Sequence, residues 1–167
     1  HAVVVSLAKA MLISAKIATD EKEALAKINE VLDSGTAAEL FETMIYTLGG
    51  PIDLLDNPWG AMQKANHIVE ILAPSHGYIS SMQTRDIGMA IVAMKGGRLA
   101  NGQAIDHSVG FDRILPVGTL LNRGDVVARV HANSESEAEL ASKTYLDSLT
   151  ITENEPEATP VIYQTIS

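Results

Sequence analysis

The sequence predicts an α+β fold in which a helical segment comes first and a mixed sheet with two helices follows. Apolar residues recur at helical spacing in the first part of the chain. Beyond the Asn-Pro-Trp-Gly turn at residues 57–60, apolar and polar residues alternate with the period of two that is typical of strands. This change of period predicts a boundary near residue 62, and therefore two domains, residues 1–62 and residues 63–167.

The first predicted helix begins without a cap. No Ser, Thr, Asp or Asn precedes its apolar residues, and the chain opens with His1 rather than Met. We therefore expect that the parent polypeptide continues upstream of His1. The apolar residues at helical spacing are Val4, Leu7, Ala8, Met11, Leu12 and Ala15.

Two further helices are predicted before the boundary. Asp20 and Glu23 form a capping box for the first of them, and Gly35 ends it. Thr36 is predicted to cap the next helix, which runs to the Gly-Gly-Pro at residues 49–51.

Beyond the boundary the pattern predicts two helices and six strands. Thr84 is predicted to cap one helix, which the Gly-Gly at 96–97 ends. Ser134 and Glu137 form a capping box for the other. The segments predicted as strands are residues 67–72, 78–82, 111–115, 126–131, 149–152 and 161–166.

Composition excludes several classes of function. The chain has 167 residues, with 12 basic and 21 acidic side chains and a net charge of −9, so it offers no electrostatic attraction for nucleic acid or for an anionic membrane. It has no cysteine and therefore no disulfide or thiolate metal site. No apolar run approaches the roughly 18 to 20 residues of a membrane span. The sequence predicts a protein without nucleic-acid or membrane partners.

The Lys-Gly-Gly-Arg at residues 95–98 has the composition of an anion-binding loop. Its place argues against that function, because it follows a predicted helix, and phosphate binds at the amino ends of helices rather than at the carboxy ends. We predict that its glycines end the helix in the left-handed conformation.

Two segments are similar to parts of biotinyl or lipoyl carrier domains. The Ala-Met-Lys at 93–95 matches the start of a biotin attachment motif, and residues 116–130 match a half-barrel sequence. A carrier presents its lysine at the tip of a tight hairpin. Here Lys95 follows a helical pattern and the second segment contains no lysine. A non-catalytic carrier is retained as an alternative, and the Gly-rich pattern of the second segment is interpreted as turn chemistry.

The remaining polar clusters are interpreted as structural. Asp106, His107 and Ser108 are the residue types of a catalytic triad, but on a strand Asp106 and Ser108 would face away from His107. The acidic residues in 135–139 lie in the first turn of a predicted helix, where negative charge is stabilising. The Arg-Gly-Asp at 123–125 is predicted to be part of a turn. The histidines lack the spacing of a zinc site, at positions 1, 67, 76, 107 and 131.

A family resemblance rests on two segments above all. Residues 77–98 run Gly-Tyr-Ile-Ser-Ser-Met-Gln-Thr-Arg-Asp-Ile-Gly-Met-Ala-Ile-Val-Ala-Met-Lys-Gly-Gly-Arg, and Ala-Ile-Asp-His-Ser-Val-Gly-Phe follows at 104–111. Together they resemble the carboxy-terminal domain of the thymidine phosphorylase family, among the pyrimidine nucleoside phosphorylases. Further matches follow in the family's order, at residues 11–18, 27–35, 37–41 and 155–163.

The resemblance implies a fold and an activity. It implies that residues 1–62 belong to the large α/β catalytic domain of the family and that residues 63–167 form its hammerhead-type subdomain. Family members catalyse the reversible attack of phosphate on the anomeric carbon of thymidine, which releases thymine and 2-deoxyribose 1-phosphate in nucleoside salvage. A broader pyrimidine nucleoside phosphorylase that also accepts uridine remains open, because the residues that distinguish the two sugars are not in this sequence.

The resemblance also implies that the chemistry lies elsewhere in the parent enzyme. The family binds phosphate and base through a Lys-His-Ser segment before a Gly-Gly loop, a Ser-Gly-Arg-Gly signature and an Arg with a Ser and a Lys. None of these occurs here. We expect no catalytic, substrate-binding, phosphate-binding or metal residue in this chain, no cofactor, and no phosphorolysis by the chain alone. The implied parent is a cytoplasmic homodimer that binds phosphate and thymidine, in which this portion buttresses the upstream part of the same polypeptide.

Overall fold

The computed structural model describes residues 1–164, which divide into two compact units. The helical unit comprises His1–Ala61 and the segment that begins at Thr159, and the sheet unit comprises Met62–Ala158. Within the described residues, no helix is both long and apolar enough to cross a membrane.

The helical unit contains three helices of similar length and one short helix. Its elements are α1 (Ala2–Ser14), α2 (Glu21–Asp33), α3 (Thr36–Thr47) and α4 (Pro58–Ala61). The short α4 occupies most of the segment that was predicted to be a turn, with its proline at the first helical position, where the missing N–H costs no hydrogen bond.

The predicted capping box of α2 is confirmed, with one change of partner. The Asp20 carboxylate accepts a hydrogen bond from the Glu23 backbone N–H at 2.8 Å. The Glu23 carboxylate accepts from both the backbone N–H and the hydroxyl of Thr19, each at 2.8 Å, rather than from Asp20. The box therefore reaches one residue further back and fixes the chain ahead of the helix.

The sheet unit contains six strands and two helices. They are β1 (His67–Leu72), β2 (Gly77–Met82), α5 (Thr84–Ala93), β3 (Gly110–Asp112), β4 (Leu120–Leu121), β5 (Val126–Ala132), α6 (Glu135–Asp147) and β6 (Leu149–Thr152). The predicted α+β class is confirmed. The single mixed sheet is not observed: the strands form two antiparallel three-stranded sheets, ordered β1-β5-β3 and β4-β2-β6.

The strand predictions differ from the structure in three places. The strand predicted over 111–115 is only three residues long, because Arg113 takes a left-handed φ of 52° directly after β3. The two-residue β4 was not predicted. Residues 161–164 form no strand, and the rest of the strand predicted over 161–166 lies outside the described residues.

Thr36 and Thr84 do not cap their helices as predicted, because each is the first helical residue. Ser34 and Gly35 separate α2 from α3, and Gly35, with φ of 83°, holds the N-cap position of α3, where it has no side chain to cap the helix. Gln83 precedes Thr84, and its backbone N–H donates to Ser148 O at 2.9 Å. The chain thus passes directly from β2 into α5.

The capping box of α6 is confirmed and has the same displaced form as that of α2. The Glu137 N–H donates to the Ser134 hydroxyl at 3.2 Å, and the Glu137 carboxylate accepts from the Asn133 N–H at 3.2 Å. This cap fixes the turn between β5 and α6, and so the position of α6 beside the core.

The core of the sheet unit is formed by both of its sheets and both of its helices. Tyr145 of α6 is fully buried, and its ring lies 5.6 Å from that of Phe111 on β3. Its hydroxyl donates to Val127 O at 3.1 Å, and burial raises the pKa of Tyr145 to about 12. The other largest fully buried side chains are Ile79, Leu121, Val127 and Val130.

Candidate functional site

The Lys-Gly-Gly-Arg segment lies at the carboxy end of α5, as predicted. The Lys95 N–H donates to Val92 O and the Gly96 N–H donates to Ile91 O, both at 2.9 Å, and these are the two bonds of a Schellman motif. The prediction that a glycine takes the left-handed position is wrong, because Lys95 holds it with φ of 69°. The backbone carbonyls of this helix end repel rather than attract phosphate.

The two glycines of this segment are needed for close packing. A Cβ added to Gly96 would lie 2.6 Å from Ile91 Cγ2 and 3.0 Å from Val109 Cγ2. A Cβ added to Gly97 would lie 2.8 Å from Val92 Cγ2. The glycines therefore allow the loop after α5 to lie against the helix, and they do not form an anion site.

Lys95 is not placed as a carrier lysine would be. It is exposed, but it follows a helix rather than occupying the tip of a hairpin. In the half-barrel-like segment, the Asn122 N–H donates to the Asp125 carboxylate at 2.7 Å and Gly124 has φ of 93°. This turn joins β4 to β5 and contains the Arg-Gly-Asp, which is turn chemistry as predicted.

The Asp106-His107-Ser108 segment braces a loop. His107 and Ser108 lie in a turn and not on a strand. Both the N–H and the hydroxyl of Ser108 donate to Asp106 Oδ1, at 2.9 and 2.6 Å, and Asn133 Nδ2 donates to Oδ2 at 2.6 Å. These bonds, that of the Ser108 hydroxyl above all, lower the pKa of Asp106. The Ser108 hydroxyl is thus occupied as a hydrogen-bond donor to Asp106, and the Asp106 carboxylate links the loop to Asn133, just before α6.

A charged cluster on the β1-β5-β3 sheet was not predicted from the sequence. Asp112 on β3 lies opposite Arg129 on β5, and the guanidinium binds its carboxylate through two nitrogens. Nε donates to Oδ1 at 2.8 Å, and Nη2 donates to Oδ2. His131 Nε2 lies 3.3 Å from Oδ1. The available signal was the spacing of two between Arg129 and His131, which places both side chains on one face of a strand.

The electrostatics of this cluster are those of a cross-strand brace. The hydrogen bonds from Arg129 lower the pKa of Asp112 from 3.8 to about 2, with a smaller contribution from His131. Asp112 is therefore a carboxylate at neutral pH, and the fork of Arg129 is occupied by it. The pair leaves neither a proton to transfer nor an open cationic site for phosphate.

The remaining candidate groups are dispersed. His1, His67, His76 and His107 are exposed. Across residues 1–164 no three His, Asp or Glu side chains come together in a way that could hold a metal ion.

The groove between α5 and α6, of about 290 Å³, is lined mainly by apolar side chains that include Met89, Ala93 and Leu140. Such a groove lacks the convergent donors that a phosphate or nucleoside needs.

Comparison with known proteins identifies the family. Residues 78–152 match the family model "Pyrimidine nucleoside phosphorylase C-terminal domain". The thymidine phosphorylase of Colwellia psychrerythraea is 50% identical over 163 residues, which are 98% of this chain and 37% of that protein. The thymidine phosphorylase of Rhizobium meliloti is 42% identical over 160 residues, which are 96% of this chain and 36% of that protein. The chain thus spans little more than a third of the length of these relatives, and it belongs to the pyrimidine nucleoside phosphorylase family through the carboxy-terminal domain that it carries.

Proposed function

We propose that this chain is the carboxy-terminal part of a thymidine phosphorylase, a pentosyltransferase that converts thymidine and phosphate to thymine and 2-deoxyribose 1-phosphate in nucleoside salvage. The observation that carries the proposal is the 50% identity, over 98% of the chain, to a relative of that name. The proposed parent enzyme is a cytoplasmic homodimer that binds phosphate and thymidine and needs no cofactor.

The role proposed for this portion is structural. Phosphorolysis needs cations and hydroxyls that hold phosphate, and donors that stabilise charge on the departing pyrimidine. The best-formed cation site of the sheet unit is Arg129, and Asp112 already occupies it. The Ser108 hydroxyl is likewise committed to Asp106. This geometry supports a portion without catalytic groups, in which residues 1–62 join the catalytic domain and residues 63–167 form the terminal subdomain.

The proposed structural role is to buttress the phosphate-binding lobe and to shape closure of the cleft. Exposed apolar residues of the helical unit support a packing role, because a large apolar surface is unusual in a free domain. Leu7 and Met11 of α1 are 61% and 72% exposed, and Leu40 of α3 is 69% exposed.

A broader specificity is the second candidate. The matching family model is named for pyrimidine nucleosides as a class rather than for thymidine. Phosphorolysis of thymidine and of uridine by the complete parent enzyme, compared as kcat/KM at saturating phosphate, separates the two. A strong preference for thymidine supports the first proposal, and similar values support the second.

A chimera tests the structural role. We would replace the matching 163-residue segment of the Colwellia relative with this chain, and compare thymine release by the chimera, by the relative without the segment, and by this chain alone. We expect turnover from the chimera and none from this chain alone.

Two results would contradict the proposal. Turnover by this chain alone would show that it carries catalytic groups. Unchanged stability and turnover of the relative after deletion of the segment would show that the segment buttresses nothing. A Tyr145→Ala chimera serves as the matched control, because it has the same length but a disrupted core in the sheet unit.

A further inference from the structure

Asn101 and Gly102 form the tip of an exposed turn in the loop that follows α5. The Gln103 N–H reaches Ala100 O at 3.4 Å, which makes residues 100–103 a β-turn. Gly102 has φ of 84°, whereas Asn101 has no positive φ, so the turn is of type II, which requires glycine at its third position. Both residues are exposed.

The reactive groups of this pair are free. In the part of the chain that the structure describes, neither the Asn101 side-chain amide nor the Gly102 backbone N–H makes a hydrogen bond. No atom lies within 4 Å of the place where a Cβ of Gly102 would be. Since glycine carries no side chain, its backbone nitrogen can approach the preceding side-chain carbonyl without a steric barrier.

We propose that Asn101 is a site of spontaneous deamidation. The Gly102 nitrogen loses its proton and attacks Asn101 Cγ, so that an N–Cγ bond forms, the Cγ–Nδ2 bond breaks, and ammonia leaves with the proton. The product is a five-membered succinimide. Water then opens the ring at either carbonyl, giving aspartate or an isoaspartate whose main chain runs through Cβ and Cγ. The reaction consumes only water and needs no oxidant or enzyme.

The surrounding hydrogen bonds determine what the modification does. Gln103 holds this turn through its side-chain oxygen, which accepts from the Leu99 N–H at 2.8 Å and from the Ala100 N–H at 3.3 Å. Its backbone oxygen accepts from Arg98 Nε at 2.9 Å. Isoaspartate inserts one extra carbon into the main chain between Ala100 and Gln103, so these bonds cannot all persist. The modification adds one negative charge and loosens the loop that follows α5.

The test is mass spectrometry on the 167-residue chain incubated at mildly alkaline pH. Trypsin releases residues 99–113 as one peptide in which Asn101 is the sole asparagine. A synthetic peptide of that sequence, incubated in parallel, sets the time at which an unfolded Asn-Gly is half converted. At that time we expect peptide 99–113 of the folded chain to show the mass gain of deamidation. We also expect an isoaspartate product in it that an isoaspartyl methyltransferase labels. Conversion at Asn122, which precedes Arg123, should be several-fold lower.

Two variants isolate the site. Asn101→Gln should abolish the modification of peptide 99–113, because a glutamine must close a less favourable six-membered ring, and it should leave the circular dichroism spectrum unchanged. Asn122→Gln should leave the modification of Asn101 unaffected. The proposal is wrong if peptide 99–113 of the folded chain stays unmodified when the synthetic peptide is half converted, or if Asn122 reacts as fast as Asn101.

Discussion

The two units of this chain bury very different shares of their apolar residues. Among residues 1–164, the helical unit has three buried apolar residues, Ala18, Ala24 and Ile28, whereas the sheet unit has fourteen. Neither α1 nor α3 contains a buried residue. The sheet unit instead encloses a tyrosine, and its strands and helices contribute to one continuous cluster.

This difference distinguishes a unit with its own hydrophobic core from one whose apolar side chains are mostly exposed within the described residues. Buried apolar area is the main favourable term in folding, and α1 is apolar over most of its surface but contains no fully buried residue. The sheet unit also has buried polar groups that are satisfied, such as the Tyr145 hydroxyl. We infer that stability of the chain resides mainly in the sheet unit.

The largest expected effect is that of Tyr145→Ala. Removing this buried ring leaves a cavity and should lower the free energy of unfolding by about 3–5 kcal/mol. Tyr46→Ala on α3, where the side chain is 59% exposed, should change it by less than about 0.5 kcal/mol. Urea unfolding followed by circular dichroism measures both, and Trp59 fluorescence reports on the helical unit.

Tyr145→Phe is the matched control for the hydroxyl alone. It should cost only about 1 kcal/mol, because Val127 O keeps its second donor, the Leu115 N–H at 3.0 Å. Equal decreases in the free energy of unfolding for Tyr145→Ala and Tyr46→Ala would contradict the contrast between the two units.

A smaller effect is expected where the packing of the sheet unit is closest. Gly96→Ala would place a methyl group 2.6 Å from Ile91 Cγ2 and should cost about 1–3 kcal/mol through overpacking. Gly88→Ala, inside α5 with no atom within 4 Å of the new Cβ, should stabilise by about 0.5–1 kcal/mol. Thermal melting of the two variants would show opposite shifts, and a destabilised Gly88→Ala would refute the steric explanation.

Sequence patterns predicted local features, such as helix caps, better than they predicted which distant residues pair. The capping boxes that begin at Asp20 and Ser134 were predictable because both partners lie within four residues of each other. The division into two sheets depends on which distant strands pair, and a period of two carries no such information. The Asp112–Arg129 pair was missed for the same reason, since it joins residues 17 positions apart. The left-handed Lys95 was missed because glycine is the usual residue at that position, whereas here the glycines follow it, at positions where they allow close packing.

Acid should weaken the sheet unit through Asp112. Its pKa is lowered in the folded state from 3.8 to about 2, so its stabilisation is fully present above pH 3.8 and is lost as the pH falls through 2. Asp112→Asn should cost about 1 kcal/mol at neutral pH, the size expected for a partly exposed pair. The free energy of unfolding, measured as a function of pH, should therefore converge for the variant and the unmodified chain near pH 2.

Arg129→Met tests whether the pair causes this dependence. Without the guanidinium, the pKa of Asp112 should rise toward its ordinary value, so the loss of stability between pH 4 and pH 2 should diminish as it does in Asp112→Asn. If Arg129→Met retains the full acid dependence, another carboxylate is responsible.

The smallest effect in the chain alone is expected at the surface of α1. Leu7 is 61% exposed, so Leu7→Gln should change the free energy of unfolding by less than about 0.5 kcal/mol. In the chimera with the Colwellia relative, the same change should cost about 1.5–3 kcal/mol if the catalytic domain buries this leucine, as the proposed role requires. Thermal inactivation of the chimera measures that cost. An equal, negligible effect in both proteins would show that α1 stays exposed in the whole enzyme, so that its apolar surface needs another explanation than packing against the catalytic domain.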